Sequence, residues 1–189
     1  MKKLNAFIAR LAKVVTKIVE VFHWVGVALM VAATVCSAAA PSAVNCFVGF
    51  DAKECCGAEL SVYGFEINAS VKNGQVDMTA FLMFGISAIL ILSLMAMIFR
   101  NLHLIIKKSE GTTPFQADNV RMLREVGIFA ISVPIIGYIM SIVSRIVIGV
   151  EVAEISVSYS GFVLGIVVLC MTQFFARGIE LQNDVDGLL

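Results

Sequence analysis

The chain is 189 residues long, 59% hydrophobic and 15% charged, with a mean hydropathy of +0.93. Soluble domains run near about 45–50% apolar and about 25% charged, so the balance excludes an ordinary soluble domain, and the scarcity of polar residues excludes disorder. Lysine plus arginine (14) equal aspartate plus glutamate (14), which leaves no basic surface for direct binding of nucleic acid.

Charges mark out the rest. No Asp, Glu, Lys or Arg occurs between Glu20 and Asp51, from Met78 to Phe99, from Val126 to Ser144, or from Ile155 to Ala176. About 20 apolar residues rising about 1.5 Å each cross a hydrocarbon layer of about 30 Å. Four spans are therefore expected, at 21–40, 78–99, 126–148 and 155–176, within one membrane domain covering 1–189. The expected class is an all-α membrane protein, a four-helix transmembrane bundle. Unbroken apolar runs such as 86–96 lack the alternation of a membrane β-barrel. Eleven of the fourteen lysines and arginines fall in segments 1–20, 100–125 and 177–189. The positive-inside rule then places both termini and the middle loop in the cytoplasm of a cell (inner or plasma) membrane.

In chain order, Leu4, Phe7, Ile8, Leu11, Val14, Val15, Ile18 and Phe22 recur at helical spacing, with Lys3, Arg10, Lys13 and Lys17 on the other side. This predicts a basic amphipathic helix over 1–20, lying on the lipid surface in preference to forming a groove for a protein partner. The first span follows. Ser37-Ala38-Ala39-Ala40 looks like a small-residue cleavage site, but the charged stretch before the apolar run is longer than a signal peptide has, so a retained span is expected.

The outer loop, 41–77, carries alternating residues from Val62 to Lys72, which predict a strand, followed by Asn73-Gly74, a hairpin signal. A small extracytoplasmic β-hairpin cap is expected. Cys46, Cys55 and Cys56 lie in this loop and Cys36 near the outer end of the first span. On an oxidising face these four are disulfide candidates whose connectivity the sequence leaves open. A stapled loop is favoured over a redox site, because no Cys-x-x-Cys is present and Cys170 is alone in its span.

The second span leads to Lys108, and Gly111 offers a helix stop. Thr113, Pro114 and Gln116 then form a capping box with proline at the first helical position, opening the helix that becomes the third span. In that span Pro134 and Gly137 are candidate hinge residues, with a static kink the favoured reading. Arg145, near its outer end, is expected to reach toward Glu151 across the short outer loop 149–154. In the fourth span Gly161 and Gly165 permit close helix approach, either internally or in a homo-oligomer.

Two stretches carry a resemblance. Gly111-Thr112-Thr113-Pro114-Phe115-Gln116-Ala117-Asp118-Asn119 is followed by Leu123-Arg124-Glu125-Val126-Gly127, and the tail reads Phe175-Ala176-Arg177-Gly178-Ile179-Glu180-Leu181-Gln182-Asn183-Asp184-Val185-Asp186. With the four spans, these resemble a bacterial family of membrane proteins of unknown function, commonly encoded beside a small Cro/CI-like (Xre-type) helix-turn-helix regulator. The resemblance covers essentially the whole chain. It implies a regulatory or sensor role in which the cytoplasmic face engages that regulator. Candidate contact residues are Pro114, Phe115, Asn119, Arg121, Arg124, Glu180, Asp184 and Asp186. A structural clasp is the plainer reading, with Arg121 or Arg124 pairing with Glu180, Asp184 or Asp186.

Enzymatic activity has no positive support, since no zinc-binding helix, phosphate-binding glycine loop or nucleophile elbow occurs. No cofactor, metal or catalytic residue is expected. The alternatives are a membrane thiol-redox protein using the outer-loop cysteines and an immunity-type or structural membrane protein.

Overall fold

A computed structural model describes residues 2–40, 58–69, 71–72, 75–110, 116–149, 153–154 and 159–186. Four helices are long and apolar enough to cross a membrane: α1 (Lys2–Ala39), α2 (Met78–Lys108), α3 (Ala117–Val147) and α4 (Tyr159–Asp186). This is the expected four-span, all-α membrane architecture. Among the described residues the short strands are β1 (Ala58–Val62), β2 (Phe65–Ala69), β3 (Val71–Lys72), β4 (Gln75–Val76) and β5 (Ala153–Glu154). They form a three-stranded sheet in the order β1-β2-β5 and a separate β3-β4 pair, all antiparallel.

Much of the apolar surface of these helices is turned outward, while several polar side chains are turned in. Phe22 and Phe174 are 74% and 73% exposed, while Glu20, His23, Asn101, Asn119, Ser141 and Thr172 are buried. Apolar side chains facing outward over contiguous helix surface need a nonaqueous solvent, and lipid supplies it.

The first element differs from expectation. The basic segment and the first span are one uninterrupted helix of 38 residues rather than a surface helix joined to a span. Neither glycine nor proline occurs before Gly26, so nothing breaks the hydrogen-bond ladder between them. The apolar stripe is where the sequence puts it, with Phe7, Ile8, Leu11, Val14, Val15, Ile18 and Phe22 exposed. The opposite face, through Ala12, Lys13, Thr16, Glu20 and His23, is the one turned to protein.

The chain divides into two compact units: Met1–His23, Leu94–Ser132 and Ser160–Leu189 in one, Trp24–Ser93 and Val133–Tyr159 in the other. In the first, Ile98, Val126 and Ala130 form a core flanked by Met95, Leu102, Phe129 and Val168. Helices α3 and α4 cross at Gly127 and Gly165. A Cβ placed at Gly165 would lie 2.9 Å from the Gly127 carbonyl oxygen and collide with Ile131, and one at Gly127 would meet Leu169 at 2.7 Å. Gly165 thus serves packing within the chain, whereas Gly161 is only half-buried.

The second unit carries the sheet. Phe65, Ile67 and Ala69 point inward and are fully buried, the face that the period-two pattern assigns to the core. The predicted single strand from Val62 to Lys72 is corrected. Tyr63 and Gly64 take positive φ values of 45° and 85°, so the chain reverses there and β1 pairs with β2, Val62 opposite Phe65. Positive φ at both central residues gives the tight turn whose twist matches the flanking strands. The hairpin signal at Asn73-Gly74 is matched by the pairing of Val71 with Val76 and Lys72 with Gln75, although 73–74 themselves lie outside the described residues. Strand β5, within the short loop after α3, pairs Ala153 with Ile67 and Glu154 with Glu66, a strand that the sequence pattern did not predict. The Phe65 ring stacks on Phe84, with centroids 6.4 Å apart.

Local chemistry sets the helix ends. Asp77 Oδ1 accepts the Thr79 N–H at 2.9 Å, capping α2. Helix α3 starts at Ala117, with the Gln116 carbonyl accepting the Val120 N–H at 3.1 Å. The predicted start at Thr113 and Pro114 lies outside the described residues; among those described, Gln116 holds the capping position. Pro134 lies inside α3, which continues through it, and a Cβ at Gly137 would touch Phe65 Cβ at 3.8 Å.

Candidate functional site

The residues singled out by the motif around Asn119 gather where α2 ends and α3 begins, within the first unit. Among the described residues, side-chain links join the end of α2 to the start of α3. Lys108 Nζ meets Asp118 Oδ2 at 2.7 Å. Asn119 Nδ2 donates to Ser109 Oγ at 3.3 Å, and that hydroxyl donates to the Ile105 carbonyl at 2.8 Å. Asn101 Nδ2 donates to Glu125 Oε2 at 3.0 Å, while Arg121 Nε donates to Oε1 of the same carboxylate at 3.2 Å. Asn101 and Asn119 are buried, 5% and 1% exposed. A buried amide without a partner costs about 1–3 kcal/mol, so these links specify one pairing of the helices.

Between the links lies a cleft of about 320 Å³, floored by Met97, Leu104 and Met122 and walled by Arg100 and the ionic groups above. It offers polar donors and acceptors around an apolar floor. Among the described residues no three His, Cys, Asp or Glu side chains are grouped to hold a metal ion.

The expected clasp to the tail is corrected. Arg121 pairs with Glu125 one helical turn away, not with Glu180, Asp184 or Asp186. The reason is reach: Glu125 lies at the i+4 position on the same face of α3. Arg124, Glu180 and Asp184 are exposed and form no ion pair among the described residues. Asp186 is the last residue of α4, with its side chain outside the described set, as are Pro114 and Phe115.

The end of the motif has visible packing roles. Glu125 receives Asn101, Val126 enters the core beside Ile98, and Gly127 admits Gly165. Asn101, Ser109 and Glu125 were not among the sequence candidates. The signal that marks them is helical phase, since Asn101, Ile105 and Lys108 share one face of α2.

Nearer the amino terminus, Lys17 Nζ pairs with the buried Glu20 at 3.0 Å. His23 donates from Nδ1 to the Val19 carbonyl at 2.7 Å and stacks on Phe99 at 5.5 Å. These contacts are structural: they neutralise the buried acid and anchor α1 to α2.

Cys36 is a free, exposed thiol rather than a disulfide partner, and Cys170 is also free and exposed. Cys46, Cys55 and Cys56 lie outside the described residues, as does Glu151, the expected neighbour of Arg145.

No family model, curated protein or solved structure matches this chain.

Proposed function

We propose that this chain is a multi-pass regulatory or sensor protein of the cell membrane, with both termini and the α2–α3 turn in the cytoplasm, where they engage a small helix-turn-helix regulator. The orientation is supported by the crowding of eleven of the fourteen lysines and arginines into segments 1–20, 100–125 and 177–189. The regulator is supported by the resemblance of residues 111–127 and 175–186 to the motifs of the family described above.

One observation carries the reading beyond resemblance. The charged residues where α2 meets α3 fall into two groups. Lys108, Asp118, Arg121 and Glu125 hold one another. Arg124 on α3, and Glu180 and Asp184 near the end of α4, are exposed and form no ion pair among the described residues. Charges with no structural employment, presented on helices braced from within, are suited to steering and orienting a partner.

The test is capture of the regulator encoded beside this gene by tagged full-length protein in detergent. Wild type retains it; Arg124→Glu and the double variant Glu180→Lys/Asp184→Lys lower retention by about tenfold or more, the scale of a disrupted charge pair. A neighbouring gene that encodes no regulator, or variants that capture it as wild type does, overturns the proposal. The orientation has its own readout: in a background with the five native cysteines replaced by serine, Lys107→Cys should resist an impermeant thiol reagent on intact cells and react once the membrane is opened.

A further inference from the structure

The basic residues of α1 have a use that the regulator reading does not absorb. Arg10, Lys13 and Lys17 recur every three to four residues, placing them along one stripe of the helix. They line a cleft of about 640 Å³ within the first unit, together with His103 from α2. Val14 and Ile18 complete the same wall and are 50% and 62% exposed. Glu110 is the one carboxylate in the lining, and Lys13 Nζ meets it at 2.6 Å. The cleft is held open from below: His103 Nδ1 donates to the Lys13 carbonyl at 3.1 Å, fixing α1 against α2. Because Lys17 also holds the buried Glu20, three cations meet two acids, and the remaining positive charge is that of Arg10, which takes part in no ion pair among the described residues.

Depth identifies what such a cleft meets. The uncharged stretch of α1 begins at Val21 and that of α2 ends at Phe99. Lys17 and His103 each lie four residues beyond, about 6 Å along a helix axis. That is the depth of the headgroup layer, which spans about 5–8 Å outside the hydrocarbon on each side. Apolar Ile18 beside the cations matches a molecule with a charged head and an oily tail; a soluble phosphate would have no use for it.

We propose that this cleft binds the phosphate of an anionic phospholipid, with Lys17 at headgroup depth, Lys13 and Arg10 reaching toward it from the aqueous side, and Ile18, the lining residue nearest the hydrocarbon, beside the glycerol and first acyl carbons. The site is thus a discrete lipid-binding pocket, distinct from general attraction of a basic helix to a charged surface, and it is independent of the regulator.

Full-length protein in nanodiscs of phosphatidylcholine containing a small fraction of phosphatidylglycerol provides the test, with native mass spectrometry of the released protein counting retained lipid. Wild type is expected to retain phosphatidylglycerol over phosphatidylcholine. Arg10→Gln/Lys17→Gln should hold it about thirtyfold less well, from two basic groups near anionic headgroups, and Arg10→Lys should keep most of the retention. The control Lys107→Gln/Arg124→Gln removes the same charge away from the cleft and should leave retention unchanged. Equal losses in the two double variants reduce the effect to bulk charge and overturn the proposal. So does equal retention of phosphatidylglycerol and phosphatidylcholine by wild type. Inorganic phosphate is the remaining arm: if it displaces phosphatidylglycerol at millimolar concentration and alone raises the melting temperature as much as the lipid does, the ligand is a soluble anion and the lipid assignment fails. Circular dichroism of each variant before reconstitution separates lost binding from lost fold.

Discussion

Where α2 turns into α3, the helices are joined by side chains that carry charge or amide groups: Lys108 to Asp118, Asn119 to Ser109, Asn101 to Glu125. Around the sheet, the second unit uses the opposite means. Phe65, Ile67 and Ala69 are fully buried, and polar groups such as Ser87 and Ser141 bond back to carbonyls of their own helices, at 2.7 and 3.0 Å. The difference follows from solvent. An ion pair is cheap to form where water can reach it and expensive where it cannot. A hydroxyl that satisfies itself within its helix can sit at any depth. The pairing that fixes one helix against another by polar contacts is therefore placed beyond the uncharged stretches.

That contrast can be broken in graded steps. Phe65→Ala removes the ring that stacks on Phe84 and should destabilise the second unit by about 3–5 kcal/mol, seen as early thermal unfolding of the sheet by infrared spectroscopy. Gly165→Val forces a side chain toward the Gly127 carbonyl and Ile131, with an expected cost of about 1–3 kcal/mol, read as a lower melting temperature in detergent. A variant as stable as wild type would mean that α3 and α4 separate without penalty. Glu125→Ala leaves the buried Asn101 amide without its acceptor, at about 1–3 kcal/mol. Lys108→Ala, which removes an exposed pair, should cost no more than about 1 kcal/mol. Equal effects from the last two would show that burial of Asn101 contributes nothing, and hydrogen exchange of the α2 and α3 amides near the turn would report the difference locally.

The spans were legible because lipid tolerates so few ionic groups that their absence alone marks the hydrocarbon stretches. The inward face of β2 was equally legible, since Phe65, Ile67 and Ala69 obey the strand period. The turn at Tyr63-Gly64 was not, because tyrosine rarely adopts positive φ and the alternation continues through it without interruption. Joining 1–20 to 21–40 as one helix was missed for a different reason: a change from polar to apolar composition looks like a boundary, yet the backbone needs a glycine or proline to stop and finds none. At the α2–α3 turn the clasp expected from Arg121 or Arg124 to the tail gives way to a pair within α3, Arg121 with Glu125. The nearer partner, Glu125, stands at the i+4 position and was open to the sequence; what spacing does not contain is the long-range bond from Asn101 to the other carboxylate oxygen.

The crossing of α3 and α4 at two bare α-carbons has a mechanical meaning. Leu169 sits against the bare α-carbon of Gly127 and Ile131 against that of Gly165, so sliding either helix along the other drives one of these side chains into the facing backbone. Piston-like travel of one helix along the other is therefore blocked. A swivel about the Gly127–Gly165 point, as scissor blades turn on their rivet, keeps both close contacts that a slide would break.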